Sequence, residues 1–183
     1  MNKNNPENFV SGSILSLKLA ASPHFSNFTL LIIIIIRMMF PKLTITTPIE
    51  LINLYAKNTL VDHLGICFTA LGEGLVEASM PVDLRTSRPG GLLHGGANLA
   101  LAETVAGLGS MLAVDMQEFD ILGIQVSANH TGSAAEGMVY ARAEIVHFGN
   151  QTHVWNVEIR NEAGKLISTG RVTNMIVKRN GKQ

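Results

Sequence analysis

A long apolar segment in the middle of the chain constrains its fold more than any other feature. Residues 95–114, GGANLALAETVAGLGSMLAV, are apolar, small or neutral with one exception, the carboxylate of Glu103. We expect a helix over residues 94–115. A helix that is apolar nearly all round has to be covered nearly all round by other elements. The segment also contains many small residues that allow strands to approach closely, so it predicts a sheet curled around a central helix.

Strand patterns lie on both sides of this helix. Residues 61–82 predict a hairpin, and a capping box at Thr47–Glu50 predicts a short helix before it, ending near Lys57. After the long helix, residues 139–146 and 153–160 alternate apolar and polar side chains, as half-buried strands do. Two more strands complete a run of four, with a tight turn at residues 161–164. Sequential strands joined by short turns indicate an antiparallel sheet, so the fold class is α+β.

Charge and composition exclude several classes of protein. The 183 residues suffice for one domain, and the 14 basic side chains balance the 14 acidic ones. A neutral chain offers no field for nucleic acid, so we expect no nucleic-acid partner. The single cysteine, Cys67, cannot form an internal disulfide, which is typical of the cytoplasm. No Cys and His spacing matches a metal site, and we expect no bound metal.

The amino-terminal 38 residues differ from the remainder. Residues 1–27 are polar and rich in Ser and Asn, and residues 28–36 are apolar apart from one Thr. Nine residues are too few for a spanning helix, which needs about 20, so we expect no membrane association. We therefore divide the chain into an extension, residues 1–38, and a folded domain, residues 39–180.

The sequence PGGLLHGGANLALAETVA, followed downstream by SANH and HFGN, resembles the central-helix signature of the hot-dog thioesterases. The likeness covers residues 40–177 and is greatest to 4-hydroxybenzoyl-CoA thioesterases of the Glu type and to 1,4-dihydroxy-2-naphthoyl-CoA hydrolases. It implies an antiparallel sheet wrapped around a long central helix. It also implies hydrolysis of an aromatic acyl-CoA in menaquinone biosynthesis, without a metal or cofactor, in a homodimer or a tetramer built from dimers.

The resemblance assigns roles to individual residues. Glu103 attacks the thioester carbonyl or activates water, the Gly95 N–H binds the carbonyl oxygen, and His94 lines the site. Contacts to coenzyme A fall on Asn129, His130, Ser133, Gly149 and Asn150. Two positions depart from the family pattern: Arg88 stands where glutamine is usual, and Gly107 where a serine or threonine hydroxyl is usual.

The residues themselves support part of this assignment. Glu103 is surrounded in sequence by apolar residues, so we expect it to be buried, and an unpaired buried carboxylate is tolerated mainly at functional sites. Gly95 begins the helix, where backbone N–H groups lack partners and can bind an oxyanion. His94 is either a helix cap or a site residue.

Spacing along the helix indicates a dimer. Glu103 follows Gly95 by eight residues, and at 1.5 Å per residue the two lie about 12 Å apart along the axis. One helix therefore cannot present both groups to the same carbonyl. We expect Gly95 of one copy to face Glu103 of the other. Two alternatives remain: a non-catalytic acyl-CoA sensor, and a hydroxyacyl dehydratase on the same fold.

Overall fold

The computed structural model describes residues 43–179. The predicted extension, residues 1–38, lies outside the described residues. The helices are α1 (Ile49–Tyr55), α2 (Leu60–His63) and α3 (Gly95–Leu112). The strands are β1 (Cys67–Gly72), β2 (Leu75–Pro81), β3 (Phe119–His130), β4 (Met138–Phe148), β5 (Thr152–Asn161) and β6 (Leu166–Lys178). The predicted order of a short helix, a hairpin, a long helix and four strands is confirmed, while α2 was not predicted.

The start of α1 differs from the predicted capping box. Pro48 is the N-cap residue, and no side chain caps the helix. The hydroxyl of Thr47 instead accepts a hydrogen bond from the Thr44 N–H at 2.9 Å. The capping-box interpretation was wrong because this hydroxyl folds back on the preceding turn, and α1 is shorter than predicted.

The six strands form one antiparallel sheet in the order β1-β2-β4-β5-β6-β3. It wraps around α3, which contacts every strand from β2 to β6. Alternate residues of the strands face the helix, and Trp155, Val157 and Ile159 of β5 are buried as their spacing predicted. The hot-dog arrangement is thereby confirmed.

Helix α3 and the sheet approach each other closely at Gly109. A Cβ atom at this position would collide with the indole ring of Trp155. The indole N–H of Trp155 also donates to Ser110 Oγ at 2.9 Å. The small residues of α3 therefore allow close packing, as the sequence predicted.

One side of α3 is not covered by the sheet of its own chain. Glu103 is exposed, and the residues that share its face are only half-buried: Leu99, Ala100, Thr104, Gly107 and Met111. The expectation that this helix is covered nearly all round is wrong for a single chain.

Strand β3 forms one edge of the sheet next to this uncovered side. It spans 12 residues, and its Leu122 and Ile124 side chains are 47% and 53% exposed. Within residues 43–179, no helix is long and apolar enough to cross a membrane.

Candidate active site

A cleft lies at the amino-terminal end of α3. Its volume is about 250 Å³, and it opens between the loop before the helix, the end of β3 and the start of β6. Four residues singled out in the sequence line it: Arg88, Gly95, His130 and Ser133. The structure thus brings together groups separated by as many as 45 positions in the chain.

The start of α3 leaves one backbone N–H free within the cleft. His94 is the N-cap, and its Nδ1 accepts a hydrogen bond from the Gly96 N–H at 2.8 Å. The His94 carbonyl accepts from the N–H groups of Ala97 at 2.9 Å and Asn98 at 3.3 Å. Among the described residues, the Gly95 N–H has no partner. His94 is therefore the helix cap, and its capping leaves the Gly95 N–H able to bind a developing oxyanion.

His130 lies directly over Gly95. Its Nε2 atom is 2.8 Å from the position that a Cβ atom on Gly95 would take. Its Nδ1 atom hydrogen-bonds to Ser168 Oγ at 3.0 Å, and Ser168 is buried. The sequence assigned His130 to coenzyme A binding, whereas the structure places its imidazole beside Gly95. Ser168, which orients the ring, was missed because it lies 38 residues further along the chain.

The guanidinium of Arg88 is turned toward its own loop. Its Nη1 donates to the Pro89 carbonyl at 3.1 Å, and the side chain is exposed. Arg88 therefore forms part of the mouth of the cleft together with the exposed Ser133.

Asn98 is a further polar residue in the wall of the cleft. It is 3% exposed, and its Oδ1 atom has no hydrogen-bond partner. In the sequence it is one neutral residue within an apolar helix and was not predicted as a site residue. Asn98 lies three residues after Gly95, on the same side of the helix, and this spacing could have predicted that it lines the cleft.

The carboxylate of Glu103 is exposed in a single chain, so the expectation that it is buried is wrong. Its apolar sequence neighbours Leu101, Ala102 and Val105 point to other sides of the helix, because successive residues are about 100° apart. Glu103 faces the uncovered side, where its Oε1 atom is 2.5 Å from the position of a Cβ atom on Gly123 of β3. It does not line the cleft of its own chain. A Cβ atom on Gly107, one turn further on, would meet open space.

The remaining predicted contacts to coenzyme A lie apart from the cleft of the same chain. Asn129 lies in a shallow depression that also contains Arg171 and Asn156, while the neighbouring His130 lines the cleft. Gly149 and Asn150 lie in the β4–β5 turn, beside His147. Burial next to His147 lowers the pKa of His153, whose ring stacks on Phe148 at 4.4 Å.

These features define a class of protein. A sheet wrapped around a helix that starts with a free N–H and carries a carboxylate eight residues later is the arrangement of a hot-dog hydrolase acting on an acyl group. The model of the thioesterase superfamily matches residues 90–168. The chain belongs to this superfamily, and it is a thioester hydrolase.

Named relatives and solved structures agree on this class. The chain is 39% identical over 129 residues to the proofreading thioesterase EntH of Cronobacter sakazakii, covering 70% of this chain and 93% of that protein. It is 37% identical over 129 residues to the 1,4-dihydroxy-2-naphthoyl-CoA hydrolase of Escherichia coli, with 70% and 94% covered. The structure of a mutant thioesterase from Pseudomonas aeruginosa superposes with a TM-score of 0.71 at 40% identity, covering 73% of this chain and 96% of that chain.

Proposed function

We propose that this thioesterase hydrolyses aromatic acyl-CoA thioesters to the free acid and coenzyme A, with 1,4-dihydroxy-2-naphthoyl-CoA as the leading candidate substrate. The Gly95 N–H, unpartnered at the start of α3, is the observation that carries the proposal, because a thioester carbonyl oxygen becomes negative as it is attacked. The 37% identity to the hydrolase of that substrate in Escherichia coli supports the choice of acyl group.

The site is completed by a second copy of the chain. The β3 edge is 12 residues long and exposes Leu122 and Ile124, and a long unpaired apolar edge favours pairing with another strand. Two β3 strands paired antiparallel about a centre between Val126 and Ser127 place Gly123 of one copy opposite His130 of the other. Glu103 lies against Gly123, and Gly95 lies beneath His130. This pairing therefore directs each carboxylate toward the other copy's free N–H.

In the assembled site the two half-sites act on one carbonyl group. The Gly95 N–H of one copy binds the carbonyl oxygen, and Glu103 of the other copy acts as nucleophile or general base on the opposite side. His130, Arg88 and Ser133 line the cleft through which the thioester reaches Gly95.

Release of free thiol from benzoyl-CoA and from 1,4-dihydroxy-2-naphthoyl-CoA tests this proposal. We expect turnover of both by the wild type, and a Glu103→Gln variant to lose about 10²–10⁴-fold in kcat, the range for a general base. A Glu50→Gln variant, which changes an exposed helical carboxylate of α1, controls for the loss of charge and keeps wild-type kcat. Equal rates for wild type and Glu103→Gln contradict the assigned role.

A panel of CoA esters tests the substrate class. Aryl-CoA esters should give higher kcat/KM than short-chain and long-chain acyl-CoA. A wild type that binds these esters in calorimetry but releases no thiol from any of them is an acyl-CoA sensor, and the proposed function is then wrong.

A further inference from the structure

The Asn174 side chain is fixed in one orientation by the core. It is 1% exposed and lies on β6, the strand that pairs with the edge strand β3. Its Nδ2 donates to the Ala106 carbonyl at 3.1 Å and to Ser110 Oγ at 2.9 Å. A backbone carbonyl only accepts hydrogen bonds, so the nitrogen has to face Ala106 and the oxygen has to face away. The Oδ1 atom has no partner among the described residues.

This oxygen and the Glu103 carboxylate both lie near Gly123. Gly123 of β3 is the register partner of Asn174. The position of a Cβ atom on Gly123 is 2.5 Å from Glu103 Oε1 and 3.8 Å from Asn174 Oδ1. Two hydrogen-bond acceptors from different elements therefore lie within 4 Å of one point, at a residue without a side chain.

The buried Asn174 Oδ1 atom needs a hydrogen-bond donor. A buried acceptor without a donor is destabilising, and buried polar groups are nearly always paired. A water molecule has two O–H groups, so it can donate one to each oxygen and keep a lone pair for attack. The described side chains supply no donor to Asn174 Oδ1.

We propose that Asn174 Oδ1 and the Glu103 carboxylate together hold the hydrolytic water, which makes Glu103 a general base in this enzyme. The inference rests on the proposed function of Glu103. The water oxygen bonds to the carbonyl carbon while its proton passes to Glu103, and the carbonyl electron pair moves onto the oxygen bound by the Gly95 N–H. When the carbonyl reforms, the C–S bond breaks, the sulfur leaves with its electron pair, and Glu103 returns the proton to it. The products are the free acid and coenzyme A.

An Asn174→Leu variant tests the water site because leucine has a similar size and no polar atom. We expect kcat on benzoyl-CoA to fall about 10–100-fold, the range for a misplaced reactant, with KM changed less than about threefold because Asn174 does not bind the acyl-CoA. Added hydroxylamine attacks without this water site. The ratio of hydroxamic acid to free acid should therefore rise in the variant over the wild type, after subtraction of the reaction without enzyme.

An Asn53→Leu variant is the matched control. Asn53 also holds two elements through its amide, donating to the Phe68 carbonyl at 2.9 Å and accepting from the Phe68 N–H at 2.8 Å, away from Glu103. It should lower the melting temperature without changing the product ratio. If Asn174→Leu does not fold, Asn174→Ser provides the same measurement with a smaller side chain.

The outcomes separate this inference from the proposed function. Wild-type kcat in the Asn174 variants, or a fall in hydrolysis and hydroxamate formation by the same factor, overturns the water site while leaving Glu103 and Gly95 in place. Absence of thiol release by the wild type, or full activity in Glu103→Gln, overturns the proposed function itself.

Discussion

Gly95 presents a backbone N–H to the cleft and has no side chain to obstruct it. The neighbouring amides are engaged by His94, through its ring and its carbonyl. A single donor of this kind, held rigidly at a helix start, stabilises an oxyanion without having to reorganise. The proposed chemistry at this position therefore depends on the backbone. A substitution abolishes it directly only if the new residue has no N–H.

A Gly95→Pro variant removes that N–H and adds a ring whose Cβ atom meets His130. Proline is favoured at the first helical position, and His94 already has the extended backbone (φ −75, ψ 133) that precedes proline readily. We expect kcat on benzoyl-CoA to fall about 10²–10³-fold, the effect of losing one oxyanion donor. The measurement is thiol release under saturating substrate, with circular dichroism to verify the helix.

Gly95→Ala is the control for this variant. Its Cβ atom meets the same His130 Nε2 at 2.8 Å but keeps the N–H. A proline variant no slower than the alanine variant indicates that the N–H does not bind the carbonyl.

The sequence singled out the two residues on which the proposed site depends but not their surroundings. Glu103 and Gly95 stand out in one short motif, so their proposed roles could be argued from local chemistry. Asn174 lies 71 positions from Glu103 in the sequence. Only the pairing of β3 with β6 places Asn174 next to Gly123, which Glu103 contacts. The apolar neighbours of Glu103 suggested burial because a linear sequence does not show which residues share a helical face.

Among the secondary-structure elements, β3 determines where the carboxylate lies. The strand carries an irregularity between Gly123 and Gln125, and the Glu103 carboxylate packs against Gly123 at this point. Alternating side chains predicted the buried face of β5 because one face of a strand repeats every second residue. A shift in pairing has no such signature, so the contact between β3 and α3 could not be predicted.

A Gly123→Ala variant tests the contact between β3 and α3. The new Cβ atom would lie 2.5 Å from Glu103 Oε1, and the flexible carboxylate has to move aside. We expect kcat to fall about tenfold or more through this misplacement, with a nearly unchanged melting temperature. Gly72→Ala in β1, whose Cβ atom would approach Leu75 no closer than 3.4 Å, should leave both unchanged. If Gly123→Ala lowers the melting temperature but leaves kcat unchanged, Gly123 has a packing role and does not position Glu103.

For the whole molecule, the decisive feature is the separation of Gly95 and Glu103 along α3. If each site combines Gly95 of one copy with Glu103 of the other, two inactive variants should complement each other. Mixing and refolding Gly95→Pro with Glu103→Gln gives heterodimers that have one intact site and one doubly altered site. Random pairing makes half the dimers mixed, so we expect about a quarter of wild-type activity.

Two controls define this experiment. Mixing Glu103→Gln with Asn174→Leu should restore nothing, because both changes affect the same half-site. Each variant refolded alone should keep only its own residual activity. Complementation that fails although mixed dimers form shows that the site lies within one chain.

The exposed edge of β3 has a consequence for how the activity depends on the amount of protein. With the dimer proposed above, a single chain carries two half-sites and no whole one, so a newly synthesised copy is inert until it meets another. At concentrations below the dissociation constant of the dimer, the rate of thioester hydrolysis rises with the square of the chain concentration. Specific activity in this range therefore depends on the concentration of the chain as well as on the kcat of each assembled site.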